Sequence, residues 1–210
     1  MSQVKIWDSI AEGWNNFRQK PFPSIINEVA LEWKIGKILD IGCGNCRNLI
    51  PFAKNGFSCY GIDSSDNMLK FAKKLCDKNK VNVKLKLGKA EKLPFKKESF
   101  DYCLNIASLH HIETSERRKK ALDEMYRVLK PKGKALIFVW NKLQPRFLFK
   151  PTDSYVSWRR KGKVYWRYYH LFNYWELKKL LKKHSFKILY SEGIVGRELT
   201  FIVQKPDKKI

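Results

Sequence analysis

Two closely spaced glycines follow an apolar run near residue 40, and this arrangement restricts the fold more than any other feature of the chain. The run covers residues 38–41, includes Asp40, and is followed by Gly42 and Gly44. Glycines with this spacing let the backbone turn tightly and leave room for a ligand against the main chain. A strand that ends in such a loop is typical of an open α/β sheet, in which ligands bind beyond the carboxyl ends of the strands.

Short apolar runs alternate with helix-length segments along the chain. Seven runs of strand length lie at 38–41, 59–62, 83–87, 102–106, 135–140, 187–190 and 199–203. Helical spacing and capping residues indicate helices at 7–17, from about 23 to 30, and at 47–54, 66–78, 115–129 and 174–183. Strands that alternate with helices predict a doubly wound sheet. We therefore expect an α/β, Rossmann-like fold with a mostly parallel seven-stranded sheet.

The chain is expected to form one domain from residue 1 to 210. Its 210 residues, 44% of them hydrophobic, suffice for one sizeable core. The pattern divides into N-terminal helices (1–36), a ligand-binding core (37–140), a basic and aromatic insertion after the fifth strand (141–172), and a C-terminal helix with two strands (173–204). We expect the insertion to cover the ligand face and the polar tail at 205–210 to fray.

The chain is strongly basic, with 43 Lys and Arg against 20 Asp and Glu and a net charge of +23. A surface of that sign attracts nucleic acid, and such binding weakens steeply with salt. The alternative is a set of lysines that are merely solvated, since composition alone carries no specificity. Arginines interleaved with aromatic residues in the insertion favour a nucleic-acid partner.

Nothing in the chain predicts secretion or membrane insertion. No uncharged apolar run approaches the length of a bilayer span, and the first residues lack the order of a signal peptide. Five cysteines, an odd number, are typical of a reducing compartment. We expect a soluble cytoplasmic protein that has no membrane partner.

An acidic residue ends the second apolar run, about 20 residues beyond the glycine pair. Asp63 at this position can accept both hydroxyls of a ribose, and Ser64 follows it. A dinucleotide loop would need a third glycine at position 47, where the chain has Arg47, so NAD and FAD are disfavoured. Beyond the third run, Ala90 and Glu91 lie where we expect adenine to bind.

The glycine pair and its two acidic residues match a family pattern. From about residue 37 to 140 the chain resembles the class I S-adenosylmethionine-dependent methyltransferases, and the segment 127–133 resembles the turn before that family's fifth strand. The resemblance implies S-adenosyl-L-methionine as the cofactor. The implied cofactor-binding residues are Asp40, Gly42, Cys43, Gly44, Asp63, Ser64, Ala90 and Glu91.

Cys43 and Cys46 form a C-x-x-C pair, which elsewhere serves as a redox dithiol or half of a zinc site. No second pair follows at metal spacing, and Cys43 lies between the two glycines of the loop. Loop geometry explains the pair better than thiol chemistry does, so no metal site is predicted.

The segment after the fourth strand bears on the methyl acceptor. It reads Asn-Ile-Ala-Ser-Leu-His-His at 105–111 and lacks the Asn/Asp-Pro-Pro-Tyr motif of many amino-nitrogen methyltransferases. Oxygen and carboxylate acceptors remain. The chain also resembles the family that methyl-esterifies 5-carboxymethyluridine at the tRNA wobble position, which includes the methyltransferase domain of an AlkB homologue. The segments that carry this resemblance are Arg18 with 20–23, 108–111, 114–118, Trp140 and 167–172.

This resemblance implies roles for specific side chains, and the physical argument agrees with it, since a carboxylate is ionised at neutral pH and needs no general base. The implied catalytic residues are Arg18, His111, Trp140, Arg167 and His170. The arginines are expected to hold the acceptor, the histidines to donate hydrogen bonds, and Trp140 or Tyr169 to stack on the base. The implied RNA-binding residues are Lys20, Arg159, Arg160, Lys161 and Tyr169. His110 is as consistent with packing behind the fourth strand as with a site role.

The implied partners are the anticodon loop of tRNA and a small zinc-ribbon activator protein that pairs with an edge of the sheet. Two other functions stay open from the residues alone. One is a small-molecule O- or N-methyltransferase with the same cofactor domain, because a fold does not determine the acceptor. The other is a noncatalytic RNA-binding subunit that retains the fold.

Overall fold

A computed structural model of the protein describes residues 1–207. The strands, in chain order, are β1 Lys37–Ile41, β2 Ser58–Asp63, β3 Val83–Leu87, β4 Phe100–Ile106, β5 Leu129–Trp140, β6 Asp153–Arg160, β7 Lys163–His170, β8 Lys187–Glu192 and β9 Glu198–Gln204. The helices are α1 Gln3–Phe17, α2 Ile25–Glu32, α3 Ile50–Lys54, α4 Asp66–Lys78, α5 Ser115–Val128 and α6 Tyr174–Lys183, with a short 3-10 helix at Leu109–His111.

Seven of the strands of residues 1–207 form one sheet in the order β3-β2-β1-β4-β5-β9-β8. The first five are parallel to one another, whereas β9 runs antiparallel to both β5 and β8. Helices α5 and α6 cover one face, and α2, α3 and α4 cover the other. The predicted mostly parallel seven-stranded sheet is confirmed. The strand order reverses between β1 and β4, where a ligand is expected beyond their carboxyl ends.

Several element boundaries differ from the sequence expectation, and backbone pairing explains two of them. The helix predicted at 47–54 begins only at Ile50, because the preceding residues form successive turns in which Cys46 N donates to Cys43 O and Leu49 N to Cys46 O. Strand β5 begins at Leu129 rather than at 135, because Leu129 pairs with Phe100 before a register shift in β4. Both differences arise from pairing that hydrophobic periodicity does not show.

The insertion after β5 contains an antiparallel hairpin of β6 and β7. Lys161 and Gly162, both with positive φ, join the two strands. The hairpin lies along α1, where Tyr168 N donates to Gln3 Oε1 at 2.9 Å and Arg160 Nη1 to Ser9 O at 2.8 Å. The N-terminal helix and the insertion are therefore one layer above the carboxyl ends of the strands.

The C-terminal segment is more firmly held than its polarity suggests. Residues 208–210 of the tail expected to fray lie outside the described residues, but Lys205 is buried, which corrects that expectation at this position. Its ammonium donates to Tyr126 O at 3.0 Å and to Leu129 O at 2.8 Å, at the end of α5. Within residues 1–207, no helix has the length and apolarity needed to cross a bilayer.

We expect Lys205→Met to lower the free energy of unfolding by about 1–3 kcal/mol, since it leaves buried carbonyl groups without donors. The matched control is Lys187→Met on the exposed start of β8, for which we expect a change within about 0.5 kcal/mol. Urea denaturation measures both. Equal effects of the two substitutions would show that Lys205 contributes nothing through its buried contacts.

Candidate active site

A cavity of about 1020 Å³ opens at the carboxyl ends of the parallel strands. Its floor consists of the loops after β1, β2, β3 and β4, and its walls come from α1, the end of β5 and the β7 strand of the hairpin. The cavity thus lies at the reversal point of the sheet, where the glycine pair predicted it.

The loop after β1 has the backbone conformation that its glycines allow. Gly42 has φ 78° and Gly44 has φ 53°. A Cβ at Gly42 would overlap the Ser108 side chain, and a Cβ at Gly44 would lie 3.5 Å from the Trp14 ring. The main chain of this loop is therefore open to the cavity and closed to any larger residue at Gly42.

Asp63 connects the first two of these loops. Its Oδ2 accepts a hydrogen bond from Gly44 N at 2.8 Å, and its Oδ1 accepts one from Ser65 N at 2.9 Å. Burial raises the pKa of this carboxyl, although the backbone donors oppose that shift. Asp63 and Ser64 both line the cavity, as the sequence predicted for ribose contact.

Asp40 is the one implied cofactor residue that does not line the cavity. It is buried beneath the loop, and neither carboxylate oxygen has a hydrogen-bond partner among the described residues. Burial, and then the charge of Asp63, raise its pKa to about 8, while Arg47 opposes the shift. A cation bound in the glycine loop above it would favour the ionised form of this carboxyl, and S-adenosylmethionine carries a sulfonium and an ammonium.

The cysteines of the loop are packed and unreactive. Cys43 and Cys46 are free and buried. A hydrogen bond with Cys46 lowers the pKa of Cys43, but burial and the nearby acidic groups outweigh it and raise that pKa to about 11. A thiol with such a pKa is a poor nucleophile at neutral pH, which supports the loop-packing interpretation of the C-x-x-C pair.

The loop after β3 forms the end of the cavity at which adenine was predicted. Ala90 and Glu91 both line it. Arg117 on α5 donates from Nε to Glu91 Oε1 at 2.7 Å and forms a longer ion pair with Glu113 at 3.4 Å. These contacts fix the β3 loop to α5 and neutralise Glu91.

The opposite wall carries two histidines and a stack of aromatic rings. His111 Nδ1 lies 2.8 Å from Tyr168 O, and because a carbonyl only accepts, this nitrogen carries the proton. Burial lowers the pKa of His111 to about 3, so the ring is neutral and presents Nε2 as an acceptor. His110 accepts from Trp140 N at 3.1 Å, and burial likewise lowers its pKa. Both histidines line the cavity as neutral rings.

Trp140 lies within this stack. Its ring is nearly parallel to that of Tyr169 at 4.6 Å and to that of Phe147 at 5.5 Å. Tyr169 was predicted to stack on RNA, yet only 2% of it is exposed. Trp140 and Tyr169 therefore form a rigid aromatic wall, and their faces already contact other rings.

Guanidinium groups without carboxylate partners converge on the same cavity. Arg18, Arg47, Arg146 and Arg167 line it, and none of them forms an ion pair with an Asp or Glu of residues 1–207. Arg167 is 6% exposed and donates from Nη1 to Tyr169 OH at 3.0 Å. Its Nε is buried without a partner among the described residues. Such a group matches an anionic ligand.

Other implied residues lie elsewhere. His170 does not line the cavity, because Asp153 at 2.7 Å and Glu176 at 2.6 Å hold its ring between the hairpin and α6, which corrects the predicted contact with the acceptor. Lys20 is exposed outside the cavity. At the hairpin tip Arg159 and Lys161 are exposed, whereas Arg160 is bound to α1 through Glu12.

Several lining residues were not predicted. They are Trp7, Trp14, Arg47, Ser108, Arg117, Gln144, Arg146 and Arg197. The tryptophans show only helical spacing in the sequence, which is equally typical of a core helix. Of these residues, Arg47 was the easiest to predict from the sequence, since an arginine directly after a glycine loop faces the same ligand as the loop.

Comparisons with known proteins show the family to which the chain belongs. A family model described as a methyltransferase domain matches residues 39–137. A solved S-adenosylmethionine-dependent methyltransferase from Methanosarcina mazei superposes with a TM-score of 0.76 over 90% of this chain and 100% of its own, at 21% identity. That likeness concerns the fold alone.

Two relatives are more similar in sequence. The tRNA (carboxymethyluridine(34)-5-O)-methyltransferase of Schizosaccharomyces pombe is 30% identical over 211 residues, which cover 88% of both chains. A relative from Xenopus tropicalis that is also described as a tRNA (carboxymethyluridine(34)-5-O)-methyltransferase is 34% identical. The match covers 65% of this chain but only 20% of that longer relative. The chain thus belongs to the class I S-adenosylmethionine-dependent methyltransferases, uses S-adenosylmethionine as methyl donor, and is related to the tRNA carboxymethyluridine(34) methyltransferases.

Proposed function

We propose that this enzyme esterifies the carboxylate of 5-carboxymethyluridine at the wobble position of tRNA. The observation that supports this proposal most directly concerns Arg167. It is a buried residue of the cavity wall, and its guanidinium Nε has no hydrogen-bond partner among residues 1–207. The names of the relatives supply the nucleoside. The fold alone would be equally compatible with small-molecule acceptors.

Arg167 is suited to orient a carboxylate without neutralising it completely. Its guanidinium carbon lies 5.1 Å from the Trp158 ring centre and 5.8 Å from that of Trp7, and Tyr169 OH accepts from Nη1. Burial lowers the pKa of this arginine, but the group remains charged at neutral pH. Fixed in this way, it directs its remaining N–H groups at the ligand, and orientation supplies most of the rate gain.

The neutral histidines fit an acceptor that needs no base. S-adenosylmethionine supplies an electrophilic methyl group, and a carboxylate near pKa 4 is already a nucleophile at neutral pH. We propose that His111 Nε2 accepts an N–H of the uracil ring. This revises the donor role expected for His111, because its only N–H is bound to Tyr168 O. The aromatic wall of Trp140 and Tyr169 excludes water beside it.

We propose that exposed Lys and Arg side chains near the cavity contact the tRNA. Lys20 and the hairpin-tip residues Arg159 and Lys161 are exposed, and they belong to a chain of net charge +23. Phosphates of a splayed anticodon loop are their expected ligands. We also propose a cytoplasmic location and a zinc-ribbon activator on one edge of the sheet, either β3 or β8, as the family resemblance implies.

We expect labelled methyl groups to enter tRNA that contains 5-carboxymethyluridine, with nucleoside mass spectrometry detecting the methyl ester. The assay is run with and without a candidate activator. Label confined to small metabolites or to another nucleoside would contradict the proposed acceptor. Binding of tRNA without turnover under both conditions would instead favour a noncatalytic RNA-binding subunit.

We expect Arg167→Gln to lower kcat/KM for tRNA by roughly 10- to 150-fold, which is the equivalent of one charge-assisted hydrogen bond. The matched control is Arg159→Gln at the exposed hairpin tip, for which we expect less than a roughly threefold change in kcat, with a weaker salt dependence of tRNA binding. Affinity for S-adenosylhomocysteine should be unchanged in both. An Arg167 variant with normal kcat/KM would exclude it from acceptor binding.

We expect kcat at saturating substrates to be independent of pH between 6 and 9, because neither the acceptor carboxylate nor His111 titrates there. Asp40, whose pKa burial raises to about 8, lies beneath the donor loop and should therefore change the KM of the donor over this range rather than kcat. The pKa of His111 is depressed to about 3, so this ring binds its proton only far below neutral pH. Steady-state assays over this range provide the measurement. A rising limb near pH 7 would indicate a general base and hence a hydroxyl or amine acceptor.

We expect Asp63→Asn to weaken S-adenosylhomocysteine binding by roughly 10- to 100-fold, since an amide cannot accept from both the Gly44 N–H and a ribose diol as a carboxylate does. The control is Asp66→Asn in the exposed first turn of α4. Calorimetry compares the two variants. Similar affinities in both would remove Asp63 from the ribose site.

A further inference from the structure

Arg18 and Arg47 flank the Trp14 ring, with their guanidinium carbons 5.4 and 5.3 Å from its centre. Arg18 also lies 5.6 Å from the centre of the Trp158 ring, which Arg167 contacts at 5.1 Å. The Trp14 ring is 3.5 Å from the position a Cβ would take at Gly44. The pair is therefore seated on the glycine loop, at the donor side of the cavity.

The loop itself holds this group in place. Asn45 Nδ2 donates to Arg18 O and to Asn15 Oδ1, both at 2.8 Å, and so fixes the end of α1. Asn48 Oδ1 accepts from Phe22 N at 2.9 Å. Because the two asparagines belong to the segment that includes Arg47, the glycine loop and both arginines form one preorganised unit.

The positive charges of Arg18 and Arg47 favour a bound anion. Neither arginine forms an ion pair with a carboxylate of residues 1–207, although Arg117 and Arg160 elsewhere in the chain do. Burial, and then the charge of Arg18, lower the pKa of Arg47 to about 10. The two like charges share one indole ring in a partly dehydrated cavity, so an anion bound between them would relieve their repulsion.

The methyl donor contains such an anion, as does the methyl acceptor. Its methionine moiety ends in an α-carboxylate, whereas its adenosine end is expected at Ala90 and Glu91 on the far side of the cavity floor. Arg117 is already bound to Glu91 and Glu113 at that end. Arg47 and Arg18 therefore lie by the loop after β1, whereas the expected adenine site lies by the loop after β3, on the other side of β2.

We propose that Arg47, together with Arg18, binds the methionine carboxylate of the donor, and that Arg167 is left to the acceptor. This reassigns Arg18, for which the sequence implied a contact with the acceptor. Arg47 and Arg167 contact no ring in common among residues 1–207, and would keep the two carboxylates apart and in defined positions. The inference rests on the cofactor assignment and does not depend on the proposed tRNA acceptor.

The test compares two probes by calorimetry on the full chain without tRNA. S-adenosylhomocysteine carries the α-carboxylate, whereas 5′-methylthioadenosine has the same nucleoside thioether but no amino acid. We expect Arg47→Gln to weaken the first probe by roughly 10- to 100-fold and the second by less than about twofold. Arg47→Lys, which keeps the charge but loses the bidentate fork, should fall between wild type and Arg47→Gln for the first probe.

Lys54→Gln is the matched control. It removes one positive charge at the exposed end of α3, the helix that follows the glycine loop, and lies outside the cavity. We expect its affinity for both probes to equal that of the wild type. An equal loss for both probes in Arg47→Gln, or none for either, would overturn the proposal.

A measurement on the unaltered protein covers the case in which Arg47→Gln does not fold. The wild type should bind S-adenosylhomocysteine at least about tenfold more tightly than 5′-methylthioadenosine, and added salt should reduce that ratio. A ratio near one would overturn the proposal without any variant. Since tRNA takes no part, a wrong acceptor assignment would leave these results unchanged.

Discussion

The hydrogen bond from Gly44 N to Asp63 is the contact on which the site depends. It joins the loop after β1 to the end of β2 at 2.8 Å and fixes the floor of the cavity. Gly42 allows this loop to lie against Ser108, and Asn45 extends the same loop to the end of α1. The cofactor loop, the fourth-strand segment and the N-terminal helix thereby become one rigid unit, which is what in-line transfer between two bound substrates requires.

Electrostatics then divide this cavity into parts. Arg47 follows the glycine loop and Arg167 lies on the hairpin strand β7, whereas Arg18 at the end of α1 lies over the Trp14 ring beside Arg47 and the Trp158 ring beside Arg167. His110 and His111 between them are held neutral by burial. A site with fixed positive charge and no titrating base suits the positioning of anions better than the removal of protons. This is the physical reason for favouring a carboxylate acceptor over a hydroxyl or an amine.

The cofactor half of the site was largely predictable from the sequence because its geometry is local. Gly42, Gly44 and Asp63 end successive strands, and parallel strands bring their carboxyl ends to one edge. The acceptor half was less accessible, since it comes from segments far apart in the chain. His170 ends the strand that carries Arg167, but its ring lies between Asp153 and Glu176. Arg47 occupies the position of a missing glycine, and the sequence does not show that it packs on Trp14 beside Arg18. Hydrophobic periodicity shows which face of a helix or strand is buried, but it does not show which residues that face contacts.

The central claim is that one cavity holds two carboxylates, one on Arg47 and the other on Arg167. A crystal structure with S-adenosylhomocysteine and an anticodon stem-loop containing 5-carboxymethyluridine tests this most directly. We expect the methionine carboxylate against Arg47 and Arg18, and the carboxymethyl group against Arg167. A complex with both carboxylates on the same arginines, or with the wobble base outside the cavity, would contradict it.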